Sequence, residues 1–189
     1  MNKKQPITTK KIVLTALMAA LTVVGSYLRV VLPLDIAGTT AFHLGNIMCA
    51  LSGILLGPWL GGLAAGLGSA MFDVLNPLYI SEAWITFLMK GAYGVAVGLV
   101  VYSGKKPWGY VKGLLGTCVG AVTYAVLYLA KSFFYSGLLI HGLTVDAALV
   151  TVVGKLPATT FNAVVAIIFA PILAISIRTA LKKARLSLE

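Results

Sequence analysis

Most of the positive charge in this chain is gathered at the ends of long apolar runs. Eleven of the fifteen Lys and Arg residues fall in three short clusters: Lys3, Lys4, Lys10 and Lys11; Lys105, Lys106 and Lys112; and Arg178, Lys182, Lys183 and Arg185. From Ile36 to Phe72 there is no formal charge at all. With 59% hydrophobic and 11% charged residues, the chain has too little polar material to cover a soluble globule, and a bilayer must be its solvent. Residues 1–189 read as one integral membrane domain. A net charge of +10 raises nucleic-acid binding as a reading, but these basic residues flank apolar segments rather than lining one polar face, which argues against it. Cys49 and Cys118 sit within apolar stretches, without the spacing of a disulfide framework or a zinc site.

A crossing helix needs about 20 residues, which predicts six spans. The first runs from Ile12 to Leu32, too long for a cleaved leader, and reads as a retained helix ending at Pro33. Asp35 opens a polar loop reaching about Thr40. The uncharged stretch from Ile36 to Phe72 suits two short crossings joined by a tight hairpin at Gly57-Pro58. Three more spans follow, from about Ala83 to Ser103, Lys112 to Tyr135 and Ala147 to Ile177. An even number puts both termini on one side, and the positive-inside bias makes that side cytoplasmic. The basic clusters then account for the net charge. The outer half holds Arg29, Lys90, Lys131 and Lys155 against Asp35, Asp73, Glu82 and Asp146, which balance.

Polar residues in that outer half recur at helical spacing. Tyr124, Tyr128, Lys131 and Tyr135 share one face of the fifth helix, and Lys155, Thr159 and Asn162 share one face of the sixth. Thr86, Lys90 and Tyr93 mark the fourth, Ser69, Asp73 and Asn76 the third, and His43 and Asn46 the second. Polar stripes inside a membrane are stable when they face one another or water, so together they predict a hydrophilic pocket open to the outside. Tyrosines suit it, since each offers a flat apolar face and a hydroxyl. Plainer roles stand beside this. Lys131 and Lys155 are near enough to the surface to snorkel, Lys90 can pair with Asp73, Arg29 can anchor at the interface, and His43 can cap a helix. Trp84 and Tyr79 sit where an aromatic belt would place them.

Small residues at GxxxG spacing, Gly57/Gly61, Gly62/Gly66, Gly94/Gly98, Gly109/Gly113 and Gly116/Gly120, predict close helix packing. No GxxxxGK[ST], HExxH or GxSxG is present, so the chain reads as a binder rather than an enzyme.

Several segments carry a family resemblance that covers nearly the whole chain. They are the lysine-rich start followed by Leu14-Thr15-Ala16-Leu17-Met18-Ala19-Ala20, then His43-Leu44-Gly45-Asn46, Leu56-Gly57-Pro58 with Gly61-Gly62-Leu63-Ala64-Ala65-Gly66, and Phe72-Asp73 before Asn76-Pro77. In order and layout the chain resembles the S components, the substrate-binding membrane subunits of energy-coupling factor (ECF) vitamin transporters. The resemblance implies an all-α, six-helix subunit of a prokaryotic plasma membrane that binds a vitamin at its outer face. A membrane scaffold and two cytoplasmic ATPases would drive uptake, so ATP and magnesium would belong to those partners and this chain would carry no cofactor. The scaffold contact falls on Ala16 and Ala20, and a lid over the site falls on Pro33 to Phe42. The substrate-binding candidates are His43, Asn46, Asp73, Asn76, Lys90, Tyr93, Tyr128, Lys131, Lys155 and Asn162. The lysines invite a carboxylate such as pantothenate, while the balanced charge suits pyridoxine or hydroxymethylpyrimidine, with riboflavin also open. The alternative is a stand-alone ion-coupled carrier in which Lys90 and Asp73 form a proton-linked pair.

Overall fold

The structure, a computed structural model, describes residues 8–33, 39–104 and 109–183. Helix α1 spans Thr9–Tyr27, opened by the Thr8 side chain, which accepts from Lys11 N at 3.4 Å. Its polar residues satisfy themselves: the hydroxyls of Thr15, Thr22 and Ser26 donate to the carbonyls four residues earlier, at 2.7, 2.9 and 2.8 Å. That leaves them free to sit buried against the rest of the fold. The helix stops short of the expected Leu32. Arg29–Pro33 forms strand β1 instead, paired antiparallel with β2, Thr39–His43, with Arg29 opposite His43 and Val31 opposite Ala41. The β-branched Val30-Val31 and the helix-incompatible Pro33 favour an extended chain, and pairing satisfies the backbone that the helix no longer does. Asp35, with the middle of the expected lid, and Lys3, Lys4, Lys105, Lys106 and Arg185 of the basic clusters lie outside the described residues.

Helix α2, Gly45–Val74, is broken at Gly57, where φ is 79°, a value open to glycine, and the following Pro58 lacks the N–H that would continue the ladder. The chain folds back there. Cys49 Sγ lies 3.6 Å from Ser69 Oγ, whereas 20 residues of straight helix would separate them by about 30 Å. The last carbonyls of the first half are not left bare, since the Tyr102 hydroxyl donates to Ile54 O at 3.2 Å and to Leu55 O at 3.1 Å.

Helices α3, Ala83–Val101, α4, Tyr110–Ala130, and α5, Val145–Lys183, complete the bundle. A short 3₁₀ turn, Ile80–Glu82, leads into α3, and α4 continues as a π-helical segment, Lys131–Ile140. Among the described residues five helices are long and apolar enough to cross a membrane, and the two halves of α2 are each shorter than an ordinary crossing. Glycines set how closely they approach. A Cβ on Gly61 would lie 2.5 Å from Ser52 O and 2.7 Å from Gly53 Cα, and one on Gly98 would lie 2.5 Å from Pro58 Cα. Gly109 is the exception among the expected GxxxG pairs, with nothing nearby. The core, including Cys49, Ala50, Ile54, Val97, Val101, Ala166 and Ala170, fills this closely packed end. The other end stays hollow.

Candidate functional site

The hollow end is a cleft holding about 950 Å³ of empty space, its open mouth included, walled by the end of α1, both strands and helices α2 to α5. Its spine is a ladder of tyrosines. Tyr124 and Tyr128 are one turn apart on α4 and stack at 5.7 Å, and Tyr93 of α3 stacks behind Tyr124 at 5.8 Å.

Cations lie against this ladder. Lys90 Nζ donates to Asn46 Oδ1 and sits 3.8 Å from the centre of the Tyr124 ring. Lys155 Nζ donates to Ser132 Oγ at 3.2 Å and lies 5.5 Å from the Tyr128 ring. Arg29 is stacked on Phe72 at 4.8 Å and on Tyr79 at 5.1 Å. Lys131 is ion-paired with Glu82 at 2.5 Å, the one such pair on the wall among the described residues, and the Ser136 hydroxyl donates to the same carboxylate at 3.2 Å. Ser132 and Ser136 both stand on the π-helical segment, whose wider turn re-aims the residues after Lys131.

Eight of the sequence candidates therefore stand on one wall: His43, Asn46, Asp73, Lys90, Tyr128, Lys131, Lys155 and Asn162. Two do not. Asn76 turns away to accept from Leu78 N at 3.2 Å, making the short turn before α3. Tyr93 is fully buried behind Tyr124 and does not reach the cleft; its hydroxyl has no hydrogen-bond partner among the described residues. The stripe also loses Tyr135, which the π-helical turn rotates onto Trp84, ring centres 6.1 Å apart.

Other expectations change in detail. Lys155 is 7% exposed and Lys131 is held by Glu82, so both point into the protein rather than snorkelling to the surface. Lys90 is bonded to Asn46 rather than ion-paired with Asp73, whose carboxylate faces Thr86. The charge balance of the outer half does not carry over to the cleft. Among the described residues, Arg29, Lys90, Lys131 and Lys155 on the wall face Asp73 and Glu82, and Asp146 is not on the wall. Arg29, Glu82, Phe72 and Tyr79 were not separable as wall residues by helical spacing, since each belongs to a strand, a helix end or a turn.

The β-hairpin closes one side of the cleft, and Asn162 fastens it. Its Oδ1 accepts from His43 N at 2.9 Å and its Nδ2 donates to Ala41 O at 2.8 Å, so one side-chain amide pairs with strand β2 as a neighbouring strand would. Phe42 packs edge-on against the adjacent Phe161 at 4.7 Å. His43 Nδ1 accepts from Gly45 N at 3.1 Å, capping α2 while remaining on the wall. Burial, then the nearby Lys90 and Arg29, lower its pKa to about 3, so His43 is a neutral donor through Nε2 at physiological pH. Among the described residues no group of three or more His, Cys, Asp or Glu is placed to hold a metal ion.

Residues 6–180 match the family model described as ECF-type riboflavin transporter, S component. A relative from Pyrococcus woesei, described as an uncharacterized protein in the gap 3′ region, is 35% identical over 118 residues, spanning 62% of this chain and 74% of that protein. The chain belongs to the ECF-type S component family.

Proposed function

We propose that this S component captures a water-soluble vitamin or vitamin precursor in the cleft and presents it to partner subunits that hydrolyse ATP. The observation that carries this reading is the cleft itself, a polar, aromatic-lined cavity within a membrane domain, closed on one side by a hairpin tied down through Asn162. In this reading the chain crosses the membrane six times, the halves of α2 counting as two short crossings. Both termini and the basic clusters are then cytoplasmic, and the cleft opens to the outside of a prokaryotic plasma membrane. The chain performs no chemistry of its own. ATP and magnesium belong to two cytoplasmic ATPase subunits, and the membrane scaffold packs on Ala16 and Ala20, both exposed on α1.

Pantothenate, pyridoxine or hydroxymethylpyrimidine, and riboflavin are the candidate substrates, and the family description favours riboflavin among them. The stacked Tyr124 and Tyr128 support a ligand with a flat ring or an extended apolar edge. The reading of a carrier with a Lys90–Asp73 proton pair loses its supporting contact, because Lys90 bonds Asn46. Mass spectrometry of small molecules released from the purified protein, followed by calorimetry without nucleotide, tests the proposal. One vitamin bound at submicromolar concentration is the expected result; no released ligand and no such affinity across the water-soluble vitamins would sink it.

A further inference from the structure

Among the described residues, the cleft wall carries more positive charge than its carboxylates match. Lys131 is neutralised by Glu82, which among the described residues leaves Arg29, Lys90 and Lys155 against the carboxylate of Asp73. His43 adds no charge, being held neutral. All three remaining cations rest on aromatic faces, of Phe72 and Tyr79, of Tyr124 and of Tyr128. Such faces and the amide or hydroxyl contacts of Asn46 and Ser132 soften burial, but they supply no counter-charge. A wall on which Lys90 and Lys155 are buried and Arg29 is half-buried, with Asp73 as the remaining described carboxylate, is poised for a ligand that brings negative charge.

The two ends of the tyrosine ladder are not equivalent. At the Lys90 end the ammonium is held by Asn46, with Asp73 close enough to interact with it. At the Lys155 end the neighbouring carboxylate of Glu82 is already taken by Lys131, and Lys155 uses one of its three donors, on Ser132. Arg29 stacks on the Phe72 and Tyr79 rings, and a guanidinium carries five N–H donors with which to meet an anion.

We propose that the ligand of this cleft is an acid, a vitamin or precursor bearing a carboxylate or phosphate that binds Lys155, with its ring or chain lying along Tyr128 and Tyr124. Arg29 contributes to the field that draws the acid in. This inference rests on the vitamin-capture reading and narrows it to anionic members of that class.

The test is calorimetry on the purified full-length protein with three matched pairs of acid and neutral analogue: pantothenate and pantothenol, nicotinate and nicotinamide, and flavin mononucleotide and riboflavin. In whichever pair binds, the acid is expected to bind about 100-fold tighter than its neutral partner, as loss of a buried ion pair implies. Lys155→Met should collapse that ratio to about 3-fold or less, and Arg29→Gln should lower it by about 5-fold through the weaker field. A neutral member bound as tightly as its acid, or a ratio that Lys155→Met leaves unchanged, overturns the acid and leaves vitamin capture standing. If none of the six compounds binds and no small molecule is released from the purified protein, vitamin capture itself fails and the acid with it. The wild-type ratios decide the matter even if a variant does not fold.

Discussion

The two ends of the bundle solve opposite problems with the same helices. Around Gly57 the helices touch backbone to backbone: Gly53 lies against Gly94, Gly61 against Ser52 and Gly53, and Gly98 against Pro58. Around the cleft, α2 to α5 are held apart by tyrosines, lysines and asparagines, and a β-hairpin bridges the gap. Contact at the closed end is van der Waals packing, which is intolerant of added atoms because nothing there can move aside. Contact at the open end is a set of hydrogen bonds, cation–ring contacts and one ion pair, which can be exchanged for bonds to a ligand. A firmly packed end and an exchangeable polar end are what a subunit needs if its site is to admit and release a solute without unfolding.

That contrast is easiest to break at the closed end. Gly98→Val places side-chain atoms where Pro58 Cα and the Gly57 carbonyl carbon stand, 2.5 and 2.6 Å from a Cβ. Overpacking against backbone typically costs about 1–3 kcal/mol or more, and loss of the monodisperse, folded peak in size-exclusion chromatography is expected. The same idea applied to an exposed surface of small residues should behave differently. Ala16→Trp with Ala20→Trp has room in the free subunit, so calorimetric ligand binding should persist while cellular uptake is lost. Retained uptake would remove the scaffold contact from α1.

At the open end the expected effects are smaller and kinetic. Asn162→Leu removes both bonds to strand β2, worth about 0.5–1.5 kcal/mol each, and should speed ligand release about 10-fold with little change in association, as read by stopped-flow fluorescence. Asn162→Asp keeps the acceptor for His43 N but loses the donor to Ala41 O, so it should fall between the two. An unchanged release rate in Asn162→Leu would show that the hairpin is held by the Phe42–Phe161 contact instead.

The last effect is absent at neutral pH and confined to acid. His43 has a folded pKa of about 3, below the ordinary 6.5, so its neutral form stabilises the fold fully above pH 6.5. That contribution is lost as pH falls from 6.5 towards 3, by at most about 1.4 kcal/mol per pH unit. Thermal unfolding midpoints should thus be flat from pH 8 to 7 and decline below 6. His43→Gln, which cannot titrate, should flatten the decline, and an equal decline in both proteins would assign it to other groups.

Much of this molecule is legible along the chain. The break at Gly57-Pro58 is readable because glycine followed by proline both permits a positive φ and removes a helix hydrogen bond. The wall residues Asn46, Asp73, Lys90, Tyr128 and Lys155 are readable because polar groups at helical spacing in an apolar segment must share a face. Asn76 and Tyr93 share that spacing too, yet one serves a turn and the other is sealed behind Tyr124. Spacing gives the face of a helix and not how far along it the neighbouring helices leave a gap. Tyr135 was misplaced for a related reason, since the π-helical segment changes the periodicity on which its placement relied.

Composition and charge order by themselves determined that this chain folds into a bilayer, roughly where its apolar helices begin, and which helix faces are polar. These are local or additive properties, carried by transfer free energy and helical period. Tertiary structure alone decided that residues 29–33 leave the helix to pair with 39–43, that Asn162 is spent on holding that hairpin, and that Lys131 rather than Lys90 is neutralised. Each depends on which residues distant in sequence arrive within a few ångströms of one another. A one-dimensional pattern names the charges in a membrane protein, and the fold chooses their partners.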